Sequence, residues 1–216
     1  MTPRRSPYTW ATWVTGLLAG DDQCQYAAWV KSHFTYEKRV RGDDFDLATW
    51  KAQHAVMVSE RAAQLTAYGW SVSVEDQNKF TLRGAATTLA GQPDIVATKG
   101  DGVLVSDEKS GQRRAKDIWQ VLLYIFTRPL SHPELVEGKR LMGEVVYRDG
   151  VLPIAGGEFT DGHRARIVGV LQVVGGPIDT PPAATPSARE CAFCDIAACQ
   201  FRVHAMATEP RAVEAF

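Results

Sequence analysis

Apolar residues recur at helical spacing from Trp10 to Phe34, first as Trp10, Trp13, Val14 and Leu17 and then as Tyr26, Trp29 and Val30. Gly20-Asp21-Asp22 interrupts the pattern and can cap the second run, so two helices are predicted here. A longer helix is predicted up to about Tyr68, with Asp44 or Asp46 as its cap and Leu47, Trp50, His54, Val58, Arg61 and Leu65 on one face. Gly69 ends it.

Beyond Gly69 the period drops from 3.6 to 2. Trp70–Glu75 and Lys79–Arg83 alternate as half-buried strands. Pro93–Thr98 and Val103–Lys109 follow as strands on either side of the turn signal Lys99-Gly-Asp-Gly102. Asp117–Phe126 has a helical pattern through Ile118, Val121, Leu122 and Ile125. Met142–Arg148 and Val151–Ile154 flank Asp149-Gly150, a two-residue hairpin turn. Arg166–Val174 is predicted as one more strand, and the proline-rich stretch from Gly175 to Arg189 as an extended connector. Helices, then a meander, then strand, helix and strand imply an α/β fold, a mixed central sheet flanked by helices.

A length of 216 residues suits one domain, 1–216, and leaves no room for an added motor domain. Apolar content of 45% and charged content of 23% are those of a globular chain with a packed core. The net charge of −1 offers polyanions no general attraction. Nucleic-acid contact would therefore fall to local clusters, Lys38, Arg39 and Arg41 or Arg113, Arg114 and Lys116. The run from Trp10 to Gly20 is broken by Thr12 and Thr15 and lacks a small-residue cleavage pattern, so it reads as folded protein rather than a secretory signal. No stretch approaches the ~20 apolar residues of a membrane span, and the expected location is the cytoplasm.

Candidate chemistry lies in two constellations. Gly91-Gln-Pro-Asp94 leads into one strand, and Asp107-Glu-Lys109-Ser-Gly111 ends the next. Side chains alternate along a strand, so Asp107 and Lys109 share a face and Glu108 takes the other. If the strands pair as a hairpin, Asp94 comes close to Asp107, giving two hard oxygen ligands for Mg²⁺ or Mn²⁺. A lysine beside them can orient a nucleophile and offset the charge of a phosphoryl transition state. Gln120 and Tyr124 follow one helical turn apart on the next helix.

In this order the motifs resemble the RecB-like nucleases of the PD-(D/E)xK superfamily, including the Cas4-type exonucleases. Those carry a G-x-x-D strand, a D-x-K-[ST]-G strand and a Q-x-x-x-Y helix, matched here by Gly91-x-x-Asp94, Asp107-x-Lys109-Ser110-Gly111 and Gln120-x-x-x-Tyr124. The resemblance implies a restriction-endonuclease-like core and a metal site of Asp94, Asp107, the backbone carbonyl of Glu108 and a histidine from an earlier helix. His54 is the candidate for that histidine and His33 its competitor. Glu108 departs from the family, which tends to place an apolar or aromatic residue there.

The second constellation is Cys191-Ala-Phe-Cys194-Asp-Ile-Ala-Ala-Cys199, with Cys24 the one other cysteine. Four cysteines are too sparse for a disulfide scaffold, and four thiolates suit tetrahedral Zn²⁺ or a [4Fe–4S] cluster; spacing does not separate the two. Cas4-type and AddB-like nucleases place one cysteine before the core and three after it around an iron–sulfur cluster, and Cys24, Cys191, Cys194 and Cys199 resemble that layout. The gap between Cys194 and Cys199 is tighter than theirs. Such a centre would clip together segments roughly 165 residues apart, a stabilising closure.

The expected function is metal-dependent hydrolysis of DNA, with Lys109 assisting the water and Gln120 and Tyr124 positioning Lys109 or the strand; the resemblance implies exonucleolytic action on single-stranded or frayed ends. A non-catalytic DNA-binding adaptor and a zinc-stabilised interaction protein are the alternatives. No P-loop is present, so a helicase, or CRISPR or recombination proteins, would be separate partners.

Overall fold

The computed structural model of the chain describes residues 1–39 and 46–204. Arg41 of the first basic cluster and Asp44, one of the two cap candidates, lie outside the described residues. Strands β1 (Thr2–Pro3) and β2 (Tyr8–Trp10) lead into helices α1 (Thr15–Ala19) and α2 (Gln25–His33), followed by β3 (Phe34–Thr35). The long helix α3 (Leu47–Ala67) precedes β4 (Ser71–Val74), β5 (Phe80–Arg83), β6 (Thr88–Gly91), β7 (Ile95–Lys99) and β8 (Gly102–Lys109). Helix α4 (Ala115–Ser131), the single turn α5 (Pro133–Val136), strands β9 (Arg140–Tyr147) and β10 (Gly150–Ile154), and helices α6 (Asp161–Val174) and α7 (Ala188–Phe193) complete the order.

The fold is mixed α/β. A five-stranded sheet runs β10-β9-β8-β7-β4, antiparallel throughout except for the parallel pair β8 and β9. Parallel neighbours need a crossover, and α4 supplies it. Central strand β8 is buried along nearly its whole length, as a strand covered on both faces must be. Its alternation sorts the core: Val103 and Val105 face Leu123 and Tyr124 of α4, while Leu104 faces Val58 and Leu65 of α3. Gly143 on β9 lets α4 come close, because a β-carbon there would collide with Val121.

Several expectations change. β5 does not continue a meander from β4; it pairs with β6 in a separate three-stranded sheet, order β2-β6-β5. The predicted strand Arg166–Val174 is helical, forming most of α6. Its valines favoured a strand, but Ile167 and Val174 are buried with Val170 and Leu171 half-buried beside them, which is one helical face. Thr160 caps that helix by accepting from the His163 N–H at 3.3 Å.

α3 starts where Asp46 accepts from the Thr49 N–H at 2.9 Å and stops before Gly69, whose φ of 81° suits glycine. The face predicted to be its buried stripe is only half so. Val58 and Leu65 are buried, whereas Leu47 and Trp50 are exposed.

Candidate active site

The register of the β7–β8 hairpin pairs Ile95 with Ser106. The preceding residue, Asp94, therefore lies across from Asp107. Asp94 Oδ2 accepts from the Glu108 N–H at 2.9 Å and lies 3.3 Å from His54 Nε2 on α3. That bond to Asp94 raises the His54 pKa above its ordinary value despite burial. His33 is elsewhere: it is buried against Trp29, with ring centroids 4.7 Å apart. Of the two histidine candidates, only His54 meets the carboxylates.

Asp107 and Lys109 project from the α4 face of β8. Lys109 Nζ lies 2.5 Å from Asp107 Oδ2, a charge-assisted hydrogen bond to a buried carboxylate. Gln120 spans the pair. Its Nε2 donates to Asp107 Oδ1 at 2.7 Å, and its Oε1 accepts from Lys109 Nζ at 3.1 Å. The same Nε2 donates to Tyr124 OH at 3.1 Å, and Tyr124 donates onward to the Gln92 carbonyl at 3.2 Å. The i, i+4 spacing of α4 thus ties the end of β8 to the loop that carries Asp94.

Burial of Asp107 pushes its carboxyl up to about 7, and Asp94 adds to the shift while Lys109 opposes it. Burial works against the Lys109 charge, yet Asp107 beside it holds its pKa above the ordinary value. Asp107 is thus the dry floor of the site, with its side chain 1% exposed, while Lys109 at 23% and His54 at 18% reach solvent.

Glu108 points the other way, as alternation requires, and is wholly buried on the α3 side. Ser106 Oγ donates to its Oε1 at 2.7 Å, and Oε2 has no partner. Burial, with help from Asp94, pushes this carboxyl up to about 9. Nearby on β9, Glu144 is gripped by Arg61 of α3 through two bonds of 2.8 and 2.6 Å.

Two contributors carry no motif. Asn78, buried in the turn before β5, donates to the carbonyls of Ser73, Pro93 and Asp94 at 3.0, 3.3 and 3.4 Å, so it brackets the backbone that aims Asp94. Asp117 accepts from Tyr147 OH and the Arg114 N–H, both at 3.1 Å, and fixes the loop between β8 and α4. A lone asparagine in a loop and an aspartate in a helix's first turn give no sequence signal of these roles.

Two carboxylates and an imidazole are a donor set that a divalent cation such as Mg²⁺ or Mn²⁺ can use. Among the described residues, no three His, Cys, Asp or Glu side chains are arranged to close around one ion. The carboxylates are held instead by Lys109 and His54.

None of the four cysteines is in a disulfide. Cys24, Cys194 and Cys199 border the cluster of Tyr26, Trp29, Val30 and Ile196, while Cys191, in α7, accepts from the Val203 N–H at 3.2 Å. Burial raises the Cys24 thiol pKa, and Cys194 and Cys199 push it further. Polar contacts also dock the C-terminal segment here. Glu190 accepts from the N–H groups of Gln23 and Cys24 at 2.6 and 2.9 Å, Lys31 pairs with Asp195 at 2.8 Å, and Ala197 N–H meets the Glu37 carbonyl at 3.1 Å. Of the basic clusters, Lys38 joins this contact through its backbone, bridged to Ile196, and keeps an exposed side chain, Arg39 donates to the Ala192 carbonyl, and Arg113 pairs with Asp149 at 3.1 Å.

Among the described residues, no helix is long and apolar enough to cross a membrane. No protein-family model and no curated protein matches the sequence. Among solved structures, the chain is similar to the crystal structure of SSO0001, with 13% sequence identity and a TM-score of 0.49 over 93% of this chain and 89% of that one.

Proposed function

We propose that the chain is a metal-dependent DNA nuclease of the PD-(D/E)xK type, built on a restriction-endonuclease-like core and acting on single-stranded or frayed ends. The observation that carries the reading is the Gln120 amide spanning Asp107 and Lys109, with Asp94 across the hairpin. A solvated strand end needs no such bracket around a buried ion pair. His54, Asp94 and Asp107, with the Glu108 carbonyl by resemblance, would hold Mg²⁺ or Mn²⁺. When bound, the ion supplies charge neutralisation at the phosphodiester and acidifies water.

The chain's own groups do the rest. Lys109, held in place by Gln120, donates to the attacking water or to a non-bridging phosphate oxygen. Its charge offsets the negative charge that builds as the water oxygen bonds to phosphorus and the bond to the leaving oxygen breaks. Tyr124 and Gln120 keep the ammonium and the Asp107 carboxylate in register.

The test is degradation of end-labelled single- and double-stranded DNA with Mg²⁺ or Mn²⁺, comparing wild type with Lys109→Ala. Cleavage that disappears in the variant is the expected result. Wild type that binds DNA and cuts nothing under either metal would make the chain a binding module.

The proposal extends to Cys24, Cys191, Cys194 and Cys199 as ligands of a [4Fe–4S] cluster, with Zn²⁺ as the alternative. What supports it is the donor set and the shared aromatic cluster that three of the four border. Iron and zinc analysis of anaerobically purified protein, with its visible spectrum, decides between them. Absence of both metals would leave the cysteines as core thiols.

A further inference from the structure

Helix α7 ends inside the cysteine motif, and the last carbonyls of a helix have no partner within it. Here one side chain gathers them. Arg202 Nη1 donates to the Cys191 carbonyl at 2.6 Å, and Nη2 donates to the carbonyls of Ile196 at 2.5 Å and, more weakly, Cys194 at 3.5 Å. Arg39 donates to the Ala192 carbonyl between them. The residue after Arg202 is engaged as well, for the Val203 N–H meets Cys191 Sγ at 3.2 Å.

Capping a helix does not require this much. A cap serves the carbonyls of the last turn, where a lysine does as well, whereas Ile196 lies beyond the end of α7 at Phe193. Only a guanidinium spreads its donors over a rigid planar fork. Arg202 is half-buried, and among the described residues its hydrogen-bond partners are these carbonyls, with no carboxylate. Its charge is permanent, so a fixed positive charge sits on the backbone that carries Cys191 and Cys194. Four thiolates bring negative charge to any centre they hold, and net charge and hydrogen bonds at sulfur set the potential of an iron–sulfur cluster.

We propose that Arg202 is a positioning residue of the four-cysteine centre. Its fork fixes the turn from Cys191 to Cys194, its neighbour Val203 holds the Cys191 sulfur, and its charge offsets that of the thiolates. Among the described residues the thiols do not close in threes around one ion, so loading moves sulfurs, and the fork confines that motion to side chains by holding the backbone that bears them. This inference rests on the reading of the four cysteines as a metal centre and names a residue outside the motif that governs it.

The experiment compares anaerobically purified full-length wild type, Arg202→Lys and Arg202→Met, each first shown to melt cooperatively. Iron and zinc content, the midpoint potential from a dye-mediated titration of the visible spectrum, and the rate of metal loss to excess chelator are measured. Arg202→Met is expected to have a more negative potential than wild type, because the charge that favours the reduced form is gone. Arg202→Lys keeps the charge and should stay near the wild-type potential. Neither variant has the fork, so both should release metal faster, Arg202→Met roughly 10- to 100-fold, the range for loss of a residue that supports metal ligands. A wild-type potential in Arg202→Met, or wild-type release from both variants, would overturn the role. If Arg202→Met fails to fold, Arg202→Lys decides alone: faster release at an unchanged potential supports the role, and wild-type release removes it. In a zinc-bearing protein the release rates carry the test, with Arg202→Met fastest and Arg202→Lys between it and wild type. Wild type that holds neither metal loses the metal-centre reading itself, whereas a loaded wild type with indifferent variants loses Arg202 alone.

Discussion

Gln120 donates through Nε2 to Asp107 Oδ1 at 2.7 Å. Because the other atom of the same amide accepts from Lys109, no other uncharged side chain of similar length can serve both partners. Gln120→Ala is expected to lower turnover roughly 10- to 100-fold, as losses of supporting hydrogen bonds do, with a smaller change in KM. Gln120→Glu should be worse, since it sets a third carboxylate against Asp107 with no donor left for it. Steady-state kinetics on single-stranded DNA checks both.

Glu108 gives a pH dependence of stability. Its carboxyl sits at about 9 in the folded chain against an ordinary 4.5. Between those values the folded state holds a proton that the unfolded state has released, so the folded state loses stability as pH rises through that window. Glu108→Gln removes the titration. Its melting temperature should match wild type below the ordinary glutamate range and exceed it increasingly toward about pH 9. Melting curves of the two proteins that stay parallel across the whole range would show that the burial of this carboxyl is relieved in solution.

Arg61 and Glu144 form a two-bond ion pair whose side chains are only 14% and 8% exposed. Removing one partner strands the other charge, so Arg61→Ala should cost about 3–5 kcal/mol in urea unfolding. Replacing both, as Arg61→Met with Glu144→Leu, should recover most of the loss. A double variant as unstable as the single one would mean that the pair does more than neutralise itself.

Gly143→Ala tests the seating of α4. The added β-carbon meets Val121, and pushing the helix off β9 should cost about 1–3 kcal/mol. Gln120 and Tyr124 ride on that helix, so activity should fall further than the stability loss alone explains.

How much of this the chain announces depends on the range of the contact. Asp107 with Lys109 and Gln120 with Tyr124 follow from period 2 on a strand and one turn of a helix, and a hairpin between adjacent strands brings in Asp94. These are local relations, readable from spacing. The Arg61–Glu144 pair needs the parallel register of β8 and β9, separated by a whole helix, and no local pattern encodes it. Asn78 works through backbone carbonyls, which leave no trace in residue type. For α6, β-branched residues outweighed a 3.6-residue stripe that only burial exposes. β6 is short, and its value lies in joining β2 to β5 rather than in its own pattern.

The seam between the two ends of the described chain governs when the protein can finish folding. Tyr26, Trp29 and Val30 leave the ribosome well before their cover, Ile196. Until residues 188–199 emerge, that aromatic surface lacks the cover that Ile196 gives it. A nascent chain halted in the proline-rich connector would display this surface, which makes stalled intermediates the form of the protein most in need of a chaperone.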